Sequence, residues 1–202
     1  MRKILLLVVA LLLLISAGQV GCKGAPAGPP QPPKVELMRV EVASYFPPPW
    51  TGWPGNPPTP TPAPPPGIRV PLILGVIFNI TNPNDYTVML DQMKFTVEFE
   101  ATPNEYFALN TPIAYEKQNI PAKATNQYRV TVVLDSAVVP GNLAVTSGAR
   151  LSALQLSAAG LVKKWWEEIG DFKFNIKVSG GTADFKSSAG NVMATFEGKF
   201  PK

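Results

Sequence analysis

Histidine is missing from this 202-residue chain, and cysteine occurs once, at Cys22. The first absence excludes His-dependent catalytic triads and the usual zinc ligation, and most hydrolase mechanisms go with them. The second excludes any internal disulfide. Charge is scarce as well: 16% of the residues are Asp, Glu, Lys or Arg, with 18 basic against 14 acidic. So small and scattered a balance gives no electrostatic footprint for nucleic acid.

Proline, by contrast, occurs 23 times, and much of it lies near the N-terminus. The chain opens with Arg2 and Lys3, an unbroken apolar run from Ile4 to Ile15, and small or polar residues before Cys22. That layout reads as an export signal over residues 1–21, too short for a membrane-spanning helix of about 20 apolar residues. A lone cysteine directly after such a segment resembles the bacterial lipobox, in which the cysteine is acylated and becomes the mature N-terminus. Gly21 fits that pattern, and Gln19 departs from it, since a large aliphatic residue is usual there. The resemblance implies lipid on Cys22, a membrane held through that lipid, and a location on the outer face of the cytoplasmic membrane or in the periplasm and envelope. Losing the signal removes Arg2 and Lys3 and no acid, which leaves 16 basic against 14 acidic residues. Residues 22–34 then form a tether, because "KGAPAGPPQPP" favours extended polyproline geometry. At ~3.1 Å per residue it spans on the order of 30 Å.

From residue 35 to 202 the pattern is that of one β-rich domain. Met38, Val40 and Val42 alternate with Arg39 and Glu41, and Leu72, Leu74, Val76, Phe78 and Ile80 share one parity. Pro71, on the opposite parity, indicates an early or edge position. Met93, Phe95, Val97 and Phe99 alternate with polar residues, as do Tyr128, Val130, Val132 and Leu134. Phe172, Phe174, Ile176 and Val178 repeat the pattern, and Val192, Ala194, Phe196 and Phe200 close it. Period two means one dry face and one wet face, so the spacing predicts an antiparallel β-sandwich of about seven strands. One stretch differs. Leu161, Trp165 and Ile169 recur at helical spacing with Val162 and Trp166 beside them, which predicts a short helical insertion ended by Gly170 and divisible at Gly160.

Two features stand out as candidate sites. An insertion over residues 46–67 places Trp50 and Trp53 among prolines, where they are either part of a loop docked on the sandwich or an exposed contact surface. Trp165 and Trp166 are adjacent, hence about 100° apart on a helix; one belongs in the core and Trp166 is a candidate partner contact. The second feature is "NITNPNDYTV", where two strand patterns are separated by Asn82, Pro83, Asn84 and Asp85. Pro83 removes an amide donor and turns Asn82 out of the helical region, and the Asn and Asp side chains can bond local backbone. A structural turn follows, including Tyr86 as it returns to the core. One carboxylate without an Asp-x-Asp spacing makes a poor calcium site, so no metal and no cofactor are expected.

The aliphatic strand ending in Asn82-Pro83-Asn84 with aromatic Tyr86, the Ile120-Pro121-Ala122 element before a strand, and Ser179-Gly180-Gly181-Thr182 after a helical insertion come in a definite order. This set resembles the late-embryogenesis-abundant group 2 family, the water-stress and hypersensitive-response domain. The resemblance implies a small sandwich similar to a fibronectin type III module, and no catalytic residue. The expected function is non-enzymatic: a membrane-anchored envelope lipoprotein that binds or stabilises a protein or envelope partner. The alternative is an assembly accessory that docks through the Pro/Trp-rich loop.

Overall fold

The computed structural model describes residues 29–45 and 71–201, and within them every long strand joins one of two antiparallel sheets. The signal, Cys22, and the 46–67 insertion with Trp50 and Trp53 lie outside the described residues. The first sheet has the order β1 (Lys34–Tyr45), β2 (Pro71–Thr81), β7 (Thr125–Asp135). The second is built on β3 (Val88–Thr102), flanked by β8 (Ile176–Ser187) and then β9 (Gly190–Phe200). Along the other edge of β3 run, in turn, β6 (Gln118–Ile120), β5 (Ile113–Ala114) and β4 (Glu105–Asn110). The stretch from Glu105 to Ile120, interrupted by Pro112, is thus three short strands on one edge.

The two sheets meet through the alternating residues. Leu72, Leu74, Val76, Phe78 and Ile80 are fully enclosed, as are Met93, Phe95, Val97 and Phe99 opposite. The Phe78 ring bridges the layers, edge-on to Phe95 and to Phe196 at 5.1 Å in each case. Such pairs add about 1 kcal/mol to the area they bury. Pro71 is the first residue of β2, as its parity indicated, but β2 is the central strand of its sheet rather than an edge. The missing donor is tolerated because it lies at the very start of the ladder.

Bulges decide which parity faces inward, and three of them bear on the expected faces. In β1 the pairing steps from Leu37–Phe78 to Arg39–Ile77, so Met38 is the extra residue. Leu37 is buried and Met38 is 39% exposed, its sulfur accepting from Arg39 and Gln127. The expected inward Met38 is therefore corrected: a bulge shifts the frame. In β3, Asp91 is extra, and burial passes from Val88 and Leu90 to Met93 onward. In β8 the extra residue falls at Ser179–Gly180, where Gly180 has φ 56°. Ser179 to Thr182 accordingly continues a strand, where the sequence suggested its end. Ile176 and Val178 face inward before the bulge, Ala183 and Phe185 after it.

Two helices and a 3-10 turn cross from β7 to β8: α1 (Val139–Ala153), α2 (Ala158–Glu168) and Ile169–Asp171. The break falls at Leu154–Ser157 and not at Gly160. Gln155 adopts φ 55°, and the Leu156 N–H bonds Leu151 O while the Gln155 N–H bonds Ser152 O. That is a Schellman closure. Ser157 then caps α2, its hydroxyl accepting from Gly160 N–H at 3.0 Å. Gly160 sits in the first turn, where a methyl would come within 2.7 Å of the capping oxygen. Gly170 does not end the segment either; the left-handed residue is Phe172, φ 48°, whose ring meets Phe200 edge-on at 5.1 Å.

Gly75 and Gly181 both face neighbours closer than 3 Å to an added Cβ, with different consequences. At Gly181 the neighbours are the Phe196 ring and its carbonyl oxygen, both at 2.5 Å, in the sheet interior. At Gly75 they are the guanidinium of Arg129, a half-exposed side chain that can move. Gly181→Ala is expected to cost about 1–3 kcal/mol and Gly75→Ala to be nearly neutral, read as denaturation midpoints.

Candidate functional site

The turn after β2, a polar knot over Asn82 to Tyr86, is built around one carboxamide. Asn82 is fully buried, and its Nδ2 donates to Tyr86 O at 2.8 Å, Pro121 O at 3.0 Å and Ile120 O at 3.1 Å. Its Oδ1 accepts from the Asn84 N–H and from Asn84 Nδ2, both at 3.0 Å, while its own N–H reaches Ala124 O at 2.9 Å. One side chain therefore joins the end of β2, the start of the return to β3 and the β6–β7 turn. A buried amide is tolerated only when its donors and acceptors are engaged, and here they are.

Asn84 extends the network outward to the N-terminal tether. Its Oδ1 accepts from the Gln31 N–H and its Nδ2 donates to Gln31 O, both at 2.9 Å. Pro83 O accepts from Lys123 Nζ at 2.7 Å, and the same ammonium lies 3.1 Å from the exposed Asp85 carboxylate. The Asn84 carbonyl receives the Lys123 N–H. The oxygens that a bound cation would need on Asn82 and Asn84 are thus engaged with protein donors. Tyr86 packs partly buried against the core, with its hydroxyl enclosed and without a hydrogen-bond partner among the described residues. Gln31 and Lys123 were missed from sequence. The signal for Gln31 was present: in Pro29-Pro30-Gln31-Pro32-Pro33 it alone carries an N–H.

Trp166 is corrected as a partner contact. It is 0% exposed, like Trp165, because the helix packs on the end of β3 and on α1 and buries both adjacent faces together with Leu161, Val162 and Ile169. Trp165 Nε1 donates to Glu100 O at 2.8 Å, and its ring stands edge-on to Phe99 at 5.6 Å. Glu100 is a second polar node at this end. Burial alone would raise its pKa. The N–H groups of Asn104 and Asn175, the Asn175 side-chain amide and the Tyr106 hydroxyl outweigh that and hold it below the ordinary glutamate value.

No helix among the described residues is long and apolar enough to cross a membrane. No family model matches the chain, and no curated protein matches it in sequence. Among solved structures, a solution structure of a protein from Arabidopsis thaliana is 11% identical, covering 91% of this chain and 87% of that one with a TM-score of 0.47. A crystal structure of a protein from Archaeoglobus fulgidus is 9% identical, covering 83% of this chain and 98% of that one at 0.38. Likenesses this distant carry nothing about function.

Truncating the central amide should expose its importance. Asn82→Ala removes the side-chain donor shared by Tyr86 O, Ile120 O and Pro121 O, of which Pro121 O keeps the Ala124 N–H, and is expected to cost about 3 kcal/mol; Pro83→Ala and Asn84→Ala should cost about 1–2 kcal/mol each, in urea titrations. For Glu100 the sign follows from its lowered folded pKa. The unfolded chain binds the proton more readily, so the contribution is whole above the ordinary value of 4.5 and is lost as pH falls through the folded pKa. Glu100→Gln should be less stable than wild type at neutral pH, with the difference narrowing as pH falls below 4.5.

Proposed function

We propose that the chain is a non-enzymatic, lipid-anchored envelope protein whose water-stress-type sandwich binds or stabilises a partner. The supporting observation is the union of Asn84 with Gln31. The segment that leads from Cys22 is stitched to the domain through backbone groups, which suits a domain held from that side. The ordered Asn-Pro-Asn, Ile-Pro-Ala and Ser-Gly-Gly-Thr elements support the family resemblance. The knot itself is spent on structure, so recognition falls to other surfaces.

A second reading has its own support. Tyr45 pairs with Leu72, so β1 and β2 keep their ladder up to the residues between which the 46–70 segment is inserted. The sandwich does not need that segment for its pairing. An assembly accessory docking through Trp50 and Trp53 would use it instead.

Two measurements test these readings. Cys22→Ser should release the protein from membranes, and the intact mass of the mature chain should show lipid on Cys22; an unmodified N-terminus elsewhere would refute the anchor. Replacing residues 47–66 with a short Gly-Ser linker should leave the melting temperature within a few degrees, since loop closure changes by only ~0.6 kcal/mol per doubling of length. Loss of partner cross-links in that variant selects the accessory reading, and their survival selects binding by the sandwich.

A further inference from the structure

We propose that the Asn84–Gln31 pairing is a tether clamp that fixes which pole of the sandwich faces the membrane. The knot pole is turned to the lipid, and the helix pole is held away from it together with both ends of the 46–70 segment. The inference rests on the reading of Cys22 as the lipid-bearing residue.

The poles are defined by strand ends. Lys34 pairs with Thr81 beside the knot, while Tyr45 pairs with Leu72 and Pro71 with Asp135 at the other end, where α1 begins. The Asn84 amide offers Gln31 one acceptor and one donor, as a neighbouring strand would. It reads only the backbone of Gln31, and the flanking Pro30 and Pro32 have no N–H to offer in its place.

Lengths show why this pairing matters. Twelve residues of β1 separate the poles by about 36 Å at ~3.3 Å each. Without the clamp, the chain from Cys22 to Lys34 could reach roughly 37 Å at a polyproline rise, about the length of the domain and enough to let it invert. With Gln31 fixed at the knot, the chain from Cys22 to Gln31 reaches roughly 28 Å, which falls short. The clamp shortens the leash below the length of the body it holds. Partners outside the membrane then meet the helix pole first.

The test places a fluorescent non-natural residue at Asp85, on the knot pole, or at Val138, on the helix pole, in the full chain. Both positions are exposed. The purified protein is reconstituted in phosphatidylcholine vesicles carrying an acceptor lipid. Intact mass reports separately whether Cys22 is acylated. Where it is not, Cys22, the only thiol, is coupled to a maleimide lipid, so failure of the anchor reading leaves the orientation measurable. Energy transfer should be severalfold greater from Asp85 than from Val138. Gln31→Ala should keep that contrast, because the clamp bonds only backbone. Gln31→Pro and Asn84→Ala should shrink it, and Asn84→Ala should also speed hydrogen exchange at the Gln31 amide. Gln31→Pro leaves the buried Asn82 network in place, so its result does not depend on a folding defect. Equal or reversed transfer in the wild type would overturn the proposal, as would a contrast that survives both Gln31→Pro and Asn84→Ala.

Discussion

A single enclosed carboxamide, that of Asn82, holds the lower end of this sandwich together. It is fully buried yet engages five partner atoms from two segments, 84–86 and 120–121, so it acts as a polar rivet in a mostly apolar interior. An unsatisfied buried amide costs far more than a satisfied one contributes, and this asymmetry gives the turn its specificity. An aliphatic residue at that position would fill the space but withdraw the side-chain donor from Tyr86 O and Ile120 O and leave Pro121 O with the Ala124 N–H alone. The geometry therefore demands an amide at position 82, a restricted φ at 83 and a second amide at 84.

The opposite end is closed by a different device. There the strands finish under α2, and Trp165 and Trp166 supply large apolar area against Phe99 and its neighbours. The helix is fixed in register by the indole N–H on Glu100 O and by Lys164 Nζ on Ala101 O at 2.9 Å. Glu100 in turn gathers donors from the β3–β4 turn and from the entry to β8. One pole is thus locked by a buried amide and the other by an aromatic lid seated on a hydrogen-bonded carboxylate.

Much of the sandwich was legible because its strands are half-wet, so that β2, β3 and β7 betray their inner faces by parity alone. What parity cannot carry is a bulge. Met38, Asp91 and Gly180 each shift the frame by one residue, and only cross-strand pairing reveals it. The first helix was not legible, because Gly141, Gly148 and Pro140 depress helix propensity and only Val139, Leu143 and Leu151 are buried. Trp166 misled for a related reason: adjacent helical residues are both buried when a helix is covered on more than one side, and α2 packs on β3 and also on α1. Asn82, Pro83 and Asn84 mark a turn in the sequence, but the reach of that turn to Gln31 was not legible, since a contact spanning 53 residues leaves no periodic trace.

The position of the proline-rich segment follows from the same pairing logic. Between β1 and β2 the ladder runs from Lys34–Thr81 to Tyr45–Leu72, so the ends of the segment are already neighbours before any of its own residues are considered. Chain added at such a point increases loop-closure entropy only logarithmically and displaces no core residue. An insertion beside Asn82 would instead part the three segments that its amide joins. The fold thus has one end that tolerates extra chain and one that does not. The end that tolerates it is the end farthest from the tether.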